Sequence, residues 1–205
     1  SMSFDNRWAL RRVPGRIHLA FDLGGKRIVY AYIRKGACSA FKQVLGYHPS
    51  ESIDTVAQQY RYVGGPYDAA LFVWRDPVER LVSLYKSKII ERRGAQGMIE
   101  ACERVLGHVP ADFDEFVDFA VGMPDPHCWT QYSHLRRMRY THAIPMGGLH
   151  EAMVALVGEE HASAFASPVN ASRDIHVDVS EATRNKIARC YVDDYRMIRR
   201  IKAAG

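Results

Sequence analysis

The stretch YAYIRKGACSAFKQVL, residues 30–45, sets the fold reading. Tyr30, Tyr32 and Ile33 are aromatic or β-branched and read as a strand. Arg34 and Lys35 follow, then the small residues Gly36, Ala37, Cys38, Ser39 and Ala40. A helix is predicted from about Ser39 to Gly46, ending at a glycine as helices often do. Small residues between a strand and a helix let backbone N–H groups converge, and the helix start adds a positive end. Ser39 contributes a hydroxyl donor and Lys35 a mobile charge, so the loop suits a bound phosphate. A tight turn at a sheet edge with an exposed lysine is the plain alternative.

The loop is not a Walker A sequence. That pattern places Lys and Ser/Thr after a second glycine, where they reach the terminal phosphates and Mg²⁺. Here Lys35 precedes the small residues and the second glycine is missing.

Working outward, residues 16–22 and 27–33 read as strands joined by Leu23-Gly24-Gly25-Lys26, a hairpin turn. Residues 51–62 read as a short helix. Ala69–Trp74 is apolar without alternation, as in a strand covered on both faces. Asp76-Pro77 starts the next helix, with Val78, Leu81, Val82, Tyr85 and Ile89 on one stripe and Arg80, Ser83 and Ser87 opposite. Further helices are predicted over 95–107 and, behind the capping-box pair Asp112 and Glu115, over 113–121. Tyr140–Pro145 reads as a strand and 149–157 as a helix. Ser180 caps one long final helix with Ile187, Tyr191, Tyr195 and Ile198 inward. This order predicts an α/β fold: three layers, P-loop-like, with a central parallel sheet flanked by helices. Ligands in such folds sit at the carboxyl ends of the strands, here the loops after Ile33 and after Trp74.

With 205 residues and 47% hydrophobic content, residues 3–205 are expected to form a single domain. Ser1-Met2 has the form of a cloning remnant. No apolar run reaches the ~20 residues of a membrane helix, so no transmembrane segment is expected. Cys38, Cys102, Cys128 and Cys190 are far apart with no CxxC pair, which argues against a zinc site or disulfide framework. The reading is a cytoplasmic protein without a metal. Twenty-eight basic against 23 acidic residues give a net charge of +5, which suits an anionic partner. The basic pairs lack interleaved aromatics or a nucleic-acid reading motif, so a small polyanion is expected and nucleic acid is not.

The second loop opens FVWRDPVERLVSLYKSKI, residues 72–89. Arg75 leaves the strand end and Ser83 offers a hydroxyl, the donors a second phosphate requires. A surface ion pair is the plain alternative for Arg75. Asp76 faintly mimics a metal-binding Walker B aspartate, but Pro77 after it marks a helix cap, which disfavours a Mg-nucleotide phosphotransferase.

Together the two stretches resemble the paired motifs of PAPS-dependent sulfotransferases, most closely the carbohydrate sulfotransferase branch and its bacterial relatives. The family's first motif carries Pro-Lys, small residues and Ser/Thr before a helix, and binds the 5′-phosphosulfate. Lys35 and Ser39 match it, with Arg34 where Pro is usual. Its second motif, Arg-Asp-Pro-x-x-Arg-x-x-Ser-x-Tyr, is matched by Arg75, Asp76, Pro77, Arg80, Ser83 and Tyr85. DPHCWTQYSHL (125–135) is similar to the family's Asp-x-His-Trp-x-x-Gln segment with Cys128 inserted, VNASRD (169–174) to its Asn-x-Ser loop, and YVDDYRMI (191–198) to its closing helix.

The resemblance implies PAPS as co-substrate, a hydroxyl acceptor of sugar, glycoconjugate or glycolipid type, and in-line sulfuryl transfer without a metal. It implies that Lys35, Gly36, Ala37, Cys38, Ser39 and Ala40 bind the 5′ end, and Arg75 and Ser83 the 3′-phosphate. Asn170, Ser172 and Arg173 close over a ligand, or form a capped turn. Lys35 would stabilise the leaving oxygen, and His127 would be the base, with Glu79, Asp114 and His18 in reserve. Cys38 reads as packing. Acceptor contacts are expected from 95–107 and 46–68, and the short chain makes a homodimer that completes the acceptor pocket an expectation. A kinase-like phosphotransferase and a nucleotide-binding module without activity are the alternatives.

Overall fold

The computed structural model describes residues 2–9, 16–122, 125–166 and 175–205. In chain order its elements are β1 (Phe4–Asp5), β2 (His18–Leu23), β3 (Lys26–Ala31), α1 (Cys38–Val44), α2 (Ile53–Tyr60), β4 (Ala69–Trp74), α3 (Pro77–Tyr85), α4 (Gln96–Leu106), α5 (Phe113–Val121), β5 (Arg139–Tyr140), β6 (His142–Pro145), α6 (Leu149–Val157), α7 (Glu181–Cys190) and α8 (Val192–Ala203). A π-helical turn, Lys86–Ile90, continues α3. The chain divides into two compact units. The first holds the described residues of 1–75, 131–170 and 197–205, and the second those of 76–130 and 171–196.

The first unit is built on a sheet of order β2-β3-β4-β6. β2 and β3 form the expected antiparallel hairpin, while β3, β4 and β6 run parallel. The hairpin turn needs positive φ at both central residues, and Gly24 and Gly25 supply +57° and +75°. At Gly24 a Cβ would also lie 2.7 Å from the Val157 carbonyl oxygen, so only glycine fits. Every residue of β4 is buried, in accord with its unbroken apolar run. Leu71 and Val73 join a core with Phe21, Tyr30, Phe41, Val56 and Met153, supplied by α1, α2 and α6. Ala70, Phe72 and Trp74 join a second core with Phe4, Tyr140, Met197 and Ile201. Helices thus cover both faces of a mostly parallel sheet, as the fold reading predicts. The rings of Tyr30 and Phe41 stack at 3.8 Å and 10° between the sheet and α1.

The second unit is helical. Asp76 caps α3 by accepting the Glu79 N–H at 3.0 Å, with Pro77 in the first turn. Asp112 caps α5 in the same way through Glu115 N–H at 2.9 Å. Leu81, Leu84, Cys102, Phe116, Val117 and Ile187 fill the core. The Thr183 hydroxyl donates to Asp114 at 2.5 Å, joining α7 to α5. Asp114, a reserve base, is therefore engaged in packing.

Four local expectations need correction. The strand expected over Tyr140–Pro145 is interrupted at Thr141, whose hydroxyl accepts from Ala70 N–H and donates to Ala70 C=O, both at 3.0 Å. That side chain takes the place of a backbone rung, and β5 pairs instead with β1, a strand too short to show alternation. The single final helix is two, broken at Tyr191, where φ is −108° and ψ 29°. Asp194 and Met197 turn inward while Tyr195 is only half-buried. Arg80, expected on the polar face, is 2% exposed.

Two predictions follow from the first unit's core. Phe41→Ala removes the stacked ring and should cost about 3–5 kcal/mol in denaturant unfolding. His18 is fully buried and its Nε2 lies 2.7 Å from the Tyr140 hydroxyl, which also accepts from Arg136 N–H. Burial, reinforced by the charge of Arg136, pushes the imidazole down to about 3. The unfolded chain therefore takes up a proton below its ordinary 6.5 that the folded chain refuses, so stability falls as the pH drops through 6.5. At pH 5 this share is about 2 kcal/mol. The stability difference between pH 7 and pH 5 should shrink by about that amount in His18→Gln, measured by urea unfolding at each pH.

Candidate functional site

The register of the parallel strands, with Tyr30 opposite Leu71 and Trp74 opposite Pro145, brings the carboxyl ends of β3, β4 and β6 to one edge of the sheet. The loop after β3 is anchored there by its backbone. Gly36 N–H donates to the Ile33 carbonyl at 2.9 Å, and the Gly36 carbonyl accepts the buried Tyr30 hydroxyl at 2.9 Å. A Cβ on Gly36 would stand 3.0 Å from both the Ile33 and the Val73 carbonyl oxygens. A side chain here would push the loop and the backbone of β4 apart by a few tenths of an ångström.

On either side of Gly36, Lys35 and Ala37 adopt left-handed conformations, with φ of 66° and 63°. Such conformations cost a non-glycine residue about 1–2 kcal/mol and collect at functional sites. Left-handed residues in a strand-to-helix loop are one ingredient of an anion nest, although the N–H groups of Gly36 and Ala40 are themselves taken by the Ile33 and Ala37 carbonyls. Lys35, Ala37, Cys38 and Ser39 are half-buried, while Ala40 packs into the core. Helix α1 begins at Cys38, one residue before the expected start. The ammonium of Lys42 and the guanidinium of Arg34 each lie 5.3 Å from the centre of the Tyr32 ring. Burial pushes the Lys42 amine down and the Tyr32 phenol up.

Arg75 follows β4 directly and is half-buried. Its N–H donates to Gln131 Oε1 at 3.0 Å, and its carbonyl accepts from Gln131 Nε2 at 2.9 Å. Gln131 is fully buried. It stood inside the recognised DPHCWTQYSHL segment but was not among the expected site residues; its partner lies 56 positions away, so no local signal marks it.

Ser83 is half-buried on α3 and Glu79 is exposed in its first turn, both in the second unit. There Arg80 donates to the Trp129 carbonyl at 2.6 Å. His127 and Asp125 are both half-buried, and Asp125 Oδ1 accepts from His127 N–H and lies 2.7 Å from His127 Nδ1. Cys128 packs into the second unit's core, and burial pushes its thiol up to about 12. His18, a reserve base, is enclosed in the first unit as described above. Asn170, Ser172 and Arg173 lie outside the described residues. All four cysteines are free thiols. Among the described residues no helix is long and apolar enough to cross a membrane.

A loop with a left-handed lysine follows one strand end and an arginine follows the next, both in the first unit. Among known families, a family model described as "Sulfotransferase family" matches residues 21–198. The chain belongs to the sulfotransferase family and is an enzyme of the kind that transfers a sulfuryl group from PAPS to a hydroxyl-bearing acceptor. No curated protein and no solved structure matches it.

Gly36→Ala tests the close approach. The added methyl crowds two backbone carbonyls, so the loop or the strand must give by a few tenths of an ångström. A loss of about 1–3 kcal/mol in thermal unfolding is expected, together with weakened binding of PAP, the desulfated product.

Proposed function

We propose that this enzyme sulfates a hydroxyl of a sugar or glycoconjugate, and that the residues of the two loops divide the work between the ends of PAPS. The reading rests above all on the paired left-handed residues Lys35 and Ala37 around the wedged Gly36. The nest and the Ser39 hydroxyl fit a tetrahedral, multiply charged group at the 5′ end. Arg75 holds the 3′-phosphate. PAPS supplies the activated sulfuryl group when bound. Lys35 neutralises the charge that grows on the departing phosphate oxygen.

His127 takes the proton of the acceptor hydroxyl. With Nδ1–H given to Asp125, the neutral ring carries its lone pair on Nε2, the arrangement of an oriented base. The resemblance to the carbohydrate branch supports the sugar acceptor. The four free thiols support a reducing, cytoplasmic setting.

PAP should raise the melting temperature without Mg²⁺, whereas ATP should not. A shift with ATP that depends on Mg²⁺, and none with PAP, would favour the phosphotransferase reading. Lys35→Ala should lower turnover by about 10²–10³-fold while PAP still binds, and wild-type turnover in this variant removes the assignment. His127→Ala should lose about 10²-fold or more at saturating acceptor, along with the acid limb of the rate profile. An unchanged profile assigns the proton to another group.

A further inference from the structure

We propose that Gln131 is a positioning residue that aims Arg75 and thereby sets the preference for nucleotides bearing a 3′-phosphate; this rests on the reading of Arg75 as the ligand of that phosphate. The ladder that holds β4 to β6 runs from Leu71 opposite His142 to Trp74 opposite Pro145. Arg75 is the next residue, and both of its backbone polar groups need partners beyond that last rung. Gln131 supplies both, accepting from the N–H at 3.0 Å and donating to the carbonyl at 2.9 Å. A carboxamide is the neutral side-chain group that offers a donor and an acceptor side by side in one plane. It therefore imitates one rung of a β-ladder. Gln131 is fully buried and starts a 3-10 turn, Tyr132–His134, so its backbone is itself fixed.

The effect of the clamp is directional. Two bonds on either side of one Cα restrict both φ and ψ, and so set the direction of the Cα–Cβ bond. Arginine has many rotatable bonds, and a few degrees at its root become a large displacement at the guanidinium. Bidentate recognition of a phosphate tolerates little of that. Each end of the Gln131 amide gives one bond to the backbone of Arg75. Its influence reaches the ligand through Arg75.

The test is the affinity ratio between PAP and AMP, which differ only in the 3′-phosphate, measured by calorimetry on the full chain. Gln131→Met keeps the length and burial of the side chain and removes both bonds. It should weaken PAP by about tenfold or more and change AMP by less than about twofold. Arg75→Ala should collapse the same ratio, and the double variant should be no worse than Arg75→Ala, because the two act as one unit. If Arg75→Ala lowers the ratio but Gln131→Met leaves it intact, or weakens PAP and AMP alike, the positioning role is overturned while the phosphate reading stands. If Arg75→Ala leaves the ratio unchanged, the reading of Arg75 itself falls and the proposal with it. Should Gln131→Met fail to fold, Gln131→Asn keeps the amide but is one methylene too short to reach both groups, and the same loss of ratio is expected.

Discussion

The backbone of Gly36 passes so close to the carbonyl oxygens of Ile33 and Val73 that a side chain would crowd both, and the course of the loop after β3 depends on that approach. Val73 belongs to β4, so the loop after one strand is measured against the backbone of the next. The contact requires the parallel pairing of β3 with β4, which in turn needs both faces of β4 covered. The Tyr30 hydroxyl holds the Gly36 carbonyl inward from the strand below. Because Tyr30 also stacks on Phe41, the core of α1 and the curvature of the loop share one side chain. The left-handed strain at Lys35 and Ala37 persists because the surroundings leave the loop no relaxed alternative.

What was legible in the sequence was local. Gly24-Gly25 needs positive φ, the Asp76-Pro77 pair starts a helix, Asp112 with Glu115 forms a cap, and β4 is an apolar run; each is a signal within a few residues. What escaped was held by distant partners. Arg80 reads as polar surface until the Trp129 carbonyl, 49 residues on, receives it inside the second unit. The break at Tyr191 has no glycine or proline to announce it, and the hydroxyl of that residue is tied to the carbonyl of Cys128 at 2.6 Å. Thr141 looks like an ordinary strand residue, yet its hydroxyl replaces a rung against Ala70.

The site divides in the same way. The order strand, lysine, small residues, helix located the first loop, and Arg75 with Asp76-Pro77 located the second. The left-handed conformations of the first loop did not show, because a sequence advertises positive φ mainly through glycine, and here a lysine and an alanine carry it. Gln131 was invisible as a partner of Arg75 for the reason that hid Arg80: a side-chain amide bridging backbone groups leaves no periodic trace.

Arg34 stands where the motif this loop resembles usually has proline, and its side chain meets an aromatic ring at the loop entrance. Proline would fix φ at the loop entrance by covalent closure. Here the entrance is tied by side-chain contact, with the Arg34 guanidinium 5.3 Å from the centre of the buried Tyr32 ring. Lys42, from α1, lies at the same distance from that ring. One aromatic side chain therefore gathers a cation from before the nest and another from after it, and cation–π attraction strengthens as the pair is desolvated. A proline would stiffen the entrance but add no charge. The arginine also places a positive charge directly before Lys35, so the local field there is more positive than a proline would leave it.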